Sequence, residues 1–365
     1  MTKYIIGSRN PPCGEGYLPP RDKPLLEEQS MKAWRFLDGF GFENLRLTDL
    51  PDLVPGPGQA IVRVRACSLN FRDLVMAKGG YGRAVTAPIT PLSDGAGEVT
   101  AVGPGVTRVK VGDRVCGIFM QRWLAGSVDD DKFASAMGGA IDGMLAEEVC
   151  LSADGLVHAP EHLSWEEAAT LPCAAVTAWN ALFRSGNLKP GETVVVQGTG
   201  GVSTFALQFA TMTGARVIAT SSSDAKLDRV RSIGAVAGIN YKATPEWDKP
   251  VRELTSGVGA DHIVEVGGAG TLPLSLKAVR RAGHIALIGV LTGPGEIDPR
   301  PILLKSIRVQ GVYVGSREMF EEMNRAISLA GLKPVIDRVF GFDESIAAMR
   351  YMETGAHFGK VCIRL

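Results

Sequence analysis

Two short stretches of the chain carry groups able to do chemistry. In "ACSLNFRD", Ala66 to Asp73, a thiol, an amide and a carboxylate (Cys67, Asn70 and Asp73) follow an alternating apolar run. A cysteine among polar residues is either a metal-ligand pattern or the address of a packed thiol. The five histidines, His158, His162, His262, His284 and His357, are dispersed, and the six cysteines form no Cys-x-x-Cys pair. No histidine therefore supports a metal at this point. The second stretch is "VVVQGTGGVSTFALQFA". An apolar strand ends at Gln197, glycines turn the chain through Gly198, Thr199, Gly200 and Gly201, and an apolar helix starts near Val202. Gly198 suits the tight turn, and Gly200 with Gly201 lets backbone approach a pyrophosphate. The helix start then supplies unpaired N–H groups and a favourable dipole. Ser203 stands where the full pattern has Gly or Ala, and is small enough for helix–strand packing.

The following strand indicates which dinucleotide fits that loop. An NAD site places Asp or Glu at the end of this strand for the ribose 2′-hydroxyl. The end here reads "ATSSSDAK". Ser221 and Ser222 offer hydroxyls, Lys226 offers a cation, and Asp224, already past the strand, is read as a cap of the next helix. With no carboxylate to repel a 2′-phosphate, NADP(H) is expected ahead of NAD(H).

The elements positioning these groups divide the chain. Its 365 residues exceed one ordinary core and suggest two domains. Lys plus Arg equals Asp plus Glu at 39 each, so charge gives no reason to bind nucleic acid or an anionic membrane. Scattered cysteines indicate a reducing compartment and no disulfide framework. "MTKYIIGSRN" lacks a sustained apolar run, so cytoplasmic residence is expected. Thr193 to Ala215 is uncharged, but its glycines and polar residues make it the poorer choice for a membrane helix. Residues 1–30, rich in proline, read as a flexible extension. Residues 31–158 show short strands between Gly and Pro, as a β-barrel does; "QAIVRVRAC" alternates as a half-buried strand. From Ser164, with Glu167 three residues on as a capping box, strand and helix alternate to about residue 331, the pattern of a doubly wound parallel sheet. Helices are expected over Ser223–Ile233 and Leu272–Arg281. The tail, residues 332–365, is assigned back to the first domain.

With these motifs placed, the sequence resembles the medium-chain dehydrogenase/reductase superfamily over nearly all of Met31 to Leu365. "NFRDL", "GAGEVTAVGPGVTRVKVGDRV", "LPCAAVTAWNAL", "VVVQGTGGVS", "INY" and "HFGKV" carry the resemblance together. It implies a GroES-like β-barrel catalytic domain, a Rossmann cofactor domain and a cleft between them, and looks most like the quinone oxidoreductase-like branch. Zinc-dependent members use Cys, His followed by an acidic residue, and Cys as ligands. By motif these positions fall on Asn70, Ser93 with Asp94, and Cys173. One soft ligand of three remains, so no metal is expected; the cysteine-rich loop of a structural zinc is absent between Cys116 and Cys150. A site lacking that Lewis acid suits a substrate that already accepts hydride, a quinone or an α,β-unsaturated carbonyl.

The resemblance also implies roles. Asn70 would lie near the nicotinamide ribose or the substrate oxygen, Thr177 would contact the nicotinamide, and Tyr81 would donate to substrate. Gly289, Val290 and Ser316 would border the nicotinamide amide. Lys226 and Tyr241 would flank the 2′-phosphate, Val266 and Gly267 the adenine-side ribose, and Gly359 with Lys360 would close over the cofactor. A homodimer through the late strand "SIRVQGVYVG" is implied too. Two other readings stay open: an alcohol dehydrogenase or carbonyl reductase, and a cofactor-binding protein of structural or sensing role with little turnover.

Overall fold

The computed structural model describes residues 30–79 and 86–365, so the expectations for residues 1–29 and for Tyr81 lie outside the described residues. Strands β1 (Ser30–Phe36) and β2 (Leu45–Pro51) form an antiparallel pair. Next come β3 (Gln59–Ser68), β4 (Asp94–Val102), β5 (Arg114–Gly117), β6 (Glu148–Ser152) and β7 (Leu156–His158). A second group follows: β8 (Thr193–Gln197), β9 (Arg216–Ser221), β10 (Ala237–Asn240), β11 (Ala260–Glu265), β12 (Val279–Leu287) and β13 (Arg308–Gly311). The chain ends in β14 (Ile336–Gly341) and β15 (Lys360–Arg364).

The second group makes a six-stranded parallel sheet in the order β10-β9-β8-β11-β12-β13. This is the doubly wound order, whose ligand crevice lies beyond the carboxyl ends of the two central strands. Those strands are β8 and β11. The residues of β8, "TVVVQ", are all buried, as sheet covered on both faces requires. The other sheet runs β14-β15-β3-β4-β5-β7, with β6 also on β3. The chain's last strands thus pair with one of its earliest.

Between the sheets lies a continuous helical run, Trp165 to Arg184. Ser164 Oγ accepts from the Glu167 amide at 3.1 Å while Glu167 accepts from the Ser164 amide at 2.8 Å, a reciprocal cap. Two segments of the run, Leu171–Ala175 and Asn180–Arg184, are π-helical. Such wide turns cost regular hydrogen bonding and recur at functional sites. One hydrophobic core joins Ala66 and Ala96 of the first sheet, Phe119 just past β5, Ala174 and Ala178 of the run, Val194 of the second sheet, and Phe205 and Phe209 of the helix Gly201–Met212.

Three local expectations are corrected. The helix from Leu272 ends at Ala278, and Val279 to Arg281 open β12, because the β-branched Val279 starts pairing with Ala260. Ser223 rather than Asp224 caps the helix Asp224–Ser232, its hydroxyl accepting from the Lys226 amide. The Asp224 carboxylate instead accepts from Asn240 Nδ2 at 2.8 Å. Cys67 lies inside β3, fully buried, with Sγ against the Met144 carbonyl at 3.1 Å.

Candidate active site

The glycine loop sits at the end of β8. Gly198 adopts φ 71°, a left-handed conformation that favours glycine. A Cβ added at Gly198 or Gly200 would meet nothing within 4 Å, so open space lies beside both. The helix Gly201–Met212 begins there, with no side-chain cap at Gly200. Free amides facing open space are what a diphosphate requires. Gly201 differs from the expectation. A Cβ there would stand 2.6 Å from Lys360 Cδ and 3.2 Å from Ala174 Cβ, so its missing side chain admits protein. Ser203, in the third motif position, donates to the Gln197 carbonyl at 2.6 Å and closes helix onto strand.

The floor of the crevice is a buried polar network. Glu265, at the end of β11, is fully buried. Its Oε1 accepts from the amides of Gly267 at 2.8 Å and Gly268 at 3.1 Å and from Thr271 Oγ1. Its Oε2 accepts from Gln197 Nε2 at 2.7 Å and from Ser275 Oγ. Gln197 Oε1 in turn accepts the Val266 and Gly267 amides. Val266 and Gly267 are thereby fixed beside the glycine loop. Gly289 must be glycine because a Cβ there would lie 2.0 Å from the Val266 carbonyl oxygen. Val290 next to it is exposed.

At the other end of the crevice, Ser221 is buried at the end of β9 and its carbonyl accepts the Tyr241 amide at 3.0 Å, so Tyr241 is held beside it. Ser222 follows as a half-buried residue. Lys226 Nζ donates to the Gly355 and His357 carbonyls, both at 2.8 Å. Burial lowers its pKa. Its ammonium therefore straps the C-terminal segment over this end of the site. Ser316 is buried, and its hydroxyl caps the helix Arg317–Ala330 through the Met319 amide. Two residues before it, Val314 takes φ 55°, a strained conformation for a β-branched residue that costs about 1–3 kcal/mol. Asn180 Nδ2 holds the Val314 carbonyl at 2.7 Å.

The catalytic-domain side meets the loop through the chain's last strand. Gly200 and Gly359 form a parallel bridge, and the Gly359 amide donates to Thr199 O at 2.8 Å. Beyond it, β15 runs antiparallel to β3 with Cys362 opposite Ser68, and Leu69 N donates to Val361 O at 2.9 Å. Extending that register places Lys360 opposite Asn70. The Lys360 stem passes Gly201, and its ammonium reaches Leu69 O and Asn70 Oδ1, both at 2.6 Å. Asp94 Oδ2 lies 3.9 Å away, with Lys360 and Asp94 side chains 3% and 0% exposed. Lys360 is thus a link to the catalytic side, in place of the expected cover over the cofactor.

Around that ammonium the three motif positions converge. Ser93 Oγ donates to Asp94 Oδ1 at 2.8 Å, and the Cys173 amide donates to Asp94 Oδ2 at 3.2 Å. Thr177 Oγ1 donates to the Cys173 carbonyl at 2.7 Å, so its hydroxyl serves the helical run. Asp73 accepts the Asn70 amide at 2.7 Å. Burial pushes Asp73 up to about 6, opposed by the Arg72 guanidinium. Burial also raises Asp94, opposed by Lys360. The Cys173 thiol is pushed far up by burial and by the neighbouring Asp94. Asn70 Nδ2 is buried with no hydrogen-bond partner: it lies close enough to favour a charged Asp94 but outside bonding geometry.

Sequence reasoning missed two devices here. Leu92, just before Ser93, is buried with φ 71°, and Gly138 and Gly143 pack onto its backbone, where a Cβ would stand 2.7 and 2.0 Å away. That turn aims Ser93 and Asp94 inward. Phe119, Phe133 and Tyr313 form an aromatic wall, with centroids 5.9 and 4.8 Å apart about Tyr313. Their sequence separation hides it.

Residues 56–161 match the alcohol dehydrogenase GroES-like domain, and residues 201–329 match the model described as zinc-binding dehydrogenase. A zinc-type alcohol dehydrogenase-like protein of Schizosaccharomyces pombe is 45% identical over 85% of this chain and 91% of its own. A solved NAD-dependent alcohol dehydrogenase is 32% identical with TM-score 0.84, covering 92% of this chain and 100% of the other. The quinone oxidoreductase of Pseudomonas syringae pv. Tomato DC3000 is 27% identical with TM-score 0.78, covering 92% and 100%. With both sheets matched and a relative this similar aligned along most of its length, the chain belongs to the medium-chain dehydrogenase/reductase superfamily of oxidoreductases.

Proposed function

We propose that this oxidoreductase reduces a quinone or an α,β-unsaturated carbonyl with NADPH and without zinc. The observation that carries the reading is the donor set at the superfamily's metal position. Asn70 accepts a lysine ammonium through its oxygen, Ser93 donates to Asp94, and Cys173 is the single soft donor of the three. Zinc needs about three lone-pair donors, thiolate, imidazole or carboxylate, at an open position. This set does not fit it, and the positive charge of Lys360 already faces Asp94. No step is routed through a metal.

The open cradle at Gly198 and Gly200 fits a dinucleotide, which when bound supplies the hydride. Ser221 and Ser222, with no carboxylate ending β9, support NADPH, whereas the Lys226 ammonium is taken up by the Gly355 and His357 carbonyls. The crevice holds the acceptor beside Asn70, away from water, so that orientation and hydrogen bonding carry the catalysis. A substrate with a conjugated acceptor needs less polarisation than an alcohol oxidised without a Lewis acid.

The names of the relatives favour a second reading, oxidation of alcohols with NAD. One experiment separates them. Metal-free protein, dialysed against EDTA and checked by elemental analysis, is assayed for nicotinamide absorbance against quinones, enones, aldehydes and alcohols with both coenzymes. We expect reduction of quinones or enones, retained after chelation, with NADPH preferred over NADH. One zinc per chain, with alcohol oxidation lost on chelation, overturns the proposal.

A further inference from the structure

Lys226 stands in the first turn of the helix Asp224–Ser232, where a cation opposes the helix dipole, so its charge must be met from outside that helix. Two carbonyls meet it. Gly355 and His357, in the turn between the helix Ser345–Glu353 and β15, each accept from Nζ at 2.8 Å. Three residues along the same helix, Arg229 reaches the same segment: its guanidinium lies 4.0 Å from the Phe358 ring centroid and pairs with Asp337 at 3.2 Å. Phe358 itself is buried. Next to it stands Gly359, whose amide donates to Thr199 O and whose backbone bridges Gly200. It takes φ 80°, and a Cβ there would stand 2.3 Å from the Val335 carbonyl oxygen, so close packing leaves it little room to absorb a shift of its neighbours. Movement at residues 355–358 is therefore passed to Thr199 and Gly200 in the glycine loop.

We infer that Lys226 is a positioning residue: through Gly355 and His357 it clamps the Gly359 segment onto the glycine loop, and so sets how tightly that loop grips the diphosphate of either coenzyme. This clamp presupposes the glycine loop as a nicotinamide dinucleotide site, the reading given above, and differs from the 2′-phosphate contact that the resemblance implies for this lysine. An ammonium donating to two carbonyls has to break those bonds to turn toward a 2′-phosphate, and breaking them frees the segment that closes the loop. Burial, which lowers the Lys226 pKa, shows how far the group has already left water. NADPH and NADH share the diphosphate and differ only at the 2′ position, so loss of the clamp must weaken both alike. Preference for NADPH then rests with Ser221 and Ser222.

The test compares wild type with Lys226→Met, which keeps the stem and removes the ammonium. NADPH and NADH are titrated separately by calorimetry, and amide hydrogen exchange is followed by mass spectrometry. We expect both Kd values to rise about tenfold, the lower end of what a hydrogen bond to a charged group contributes, by factors that agree within about threefold. Exchange in peptides spanning residues 355–360 should quicken about tenfold, while β8 and β11 stay as protected as in wild type. Weakening of NADPH more than about threefold beyond NADH makes Lys226 a phosphate ligand and overturns the proposal. Both affinities within about threefold of wild type overturn it, as does unchanged exchange at residues 355–360. Loss of protection in β8 and β11 as well makes the lysine a group of the fold and overturns it too. A wild-type chain that binds neither coenzyme ends the dinucleotide reading and the clamp's function with it; every other failure falls on Lys226 alone.

Discussion

Glu265→Gln changes one oxygen to an amide and leaves the volume of the crevice floor nearly unaltered, so its effect can be worked from hydrogen bonds alone. The wild-type carboxylate takes five donors: two backbone amides, two hydroxyls and Gln197 Nε2. A glutamine has one accepting oxygen. If that oxygen keeps Gly267, Gly268 and Thr271, the new NH2 faces Gln197 Nε2 and Ser275 Oγ. The serine oxygen already takes one Gln197 Nε2 hydrogen at 2.8 Å, but the two amide nitrogens oppose each other and the second Gln197 hydrogen is left unpaired. Hydrogen bonds to a charged group contribute about 1.5–3 kcal/mol each, and an orphaned buried donor costs about 1–3 kcal/mol. Losing one such bond and orphaning one donor gives about 2.5–6 kcal/mol. Because Gln197 ties the end of β8 to Val266 and Gly267, coenzyme affinity should fall with stability. Urea unfolding followed by far-UV circular dichroism, with and without NADPH, measures both. A variant within about 1 kcal/mol of wild type would refute the account of the network.

Further consequences can be measured directly. Gly289→Ala drives a Cβ to 2.0 Å from the Val266 carbonyl oxygen, just beyond β11 in a segment held by the Gln197 side chain, so destabilisation by more than about 3 kcal/mol in the same urea assay is expected, and mild destabilisation would contradict the packing. His284 is buried against Arg308 and His262, and burial first, then the Arg308 guanidinium and the neighbouring His262, lowers its pKa from 6.5 to about 3. Its folded pKa lies below the unfolded one, so the unfolded state gains a proton first, and stability falls as pH drops from about 6.5 toward 3. His284→Phe should flatten that acid-side slope by up to about 1.4 kcal/mol per pH unit relative to wild type; parallel slopes would exclude the effect. Finally, we propose a homodimer through β13, the outermost strand of the parallel sheet, flanked by Leu303 and Leu304 at 79% and 70% exposure. Sedimentation at micromolar concentration should give a dimer, and a Leu303→Lys/Leu304→Lys variant a monomer; a monomeric wild type defeats this.

What the sequence disclosed and what it hid divide along a physical line. The doubly wound sheet was legible because its signals are local: an uninterrupted apolar β8, a glycine turn, an apolar helix, then repeats of that pattern. Glycines were legible as glycines, but their reasons were not. Gly200 borders open space whereas Gly201, beside it, makes room for a lysine that arrives from 159 residues away along the chain. Ser164 and Glu167 announced a cap three residues wide; nothing equally short announced that the run they start would contain two π-helical turns. Asn70, Ser93 and Cys173 were located as the three metal positions by resemblance, and the absence of a matching donor set was readable from residue types. The cation among them was not, because Lys360 sits beside a glycine loop in sequence and beside Asn70 only through the β15–β3 register.

That register carries a consequence for how the charge of Asp94 is met. A fully buried carboxylate left uncompensated costs several kcal/mol. A lysine delivered by the last strand offsets that charge at 3.9 Å. It also binds the Asn70 side-chain oxygen, at 2.6 Å. The glycine that pairs with the cofactor loop immediately precedes that strand, so cofactor cradle and internal cation are placed by one backbone segment, Gly359–Lys360. A change in how that segment docks would therefore alter coenzyme binding and the electrostatics at Asn70 together. In the structure the two functions are separated by a single peptide unit.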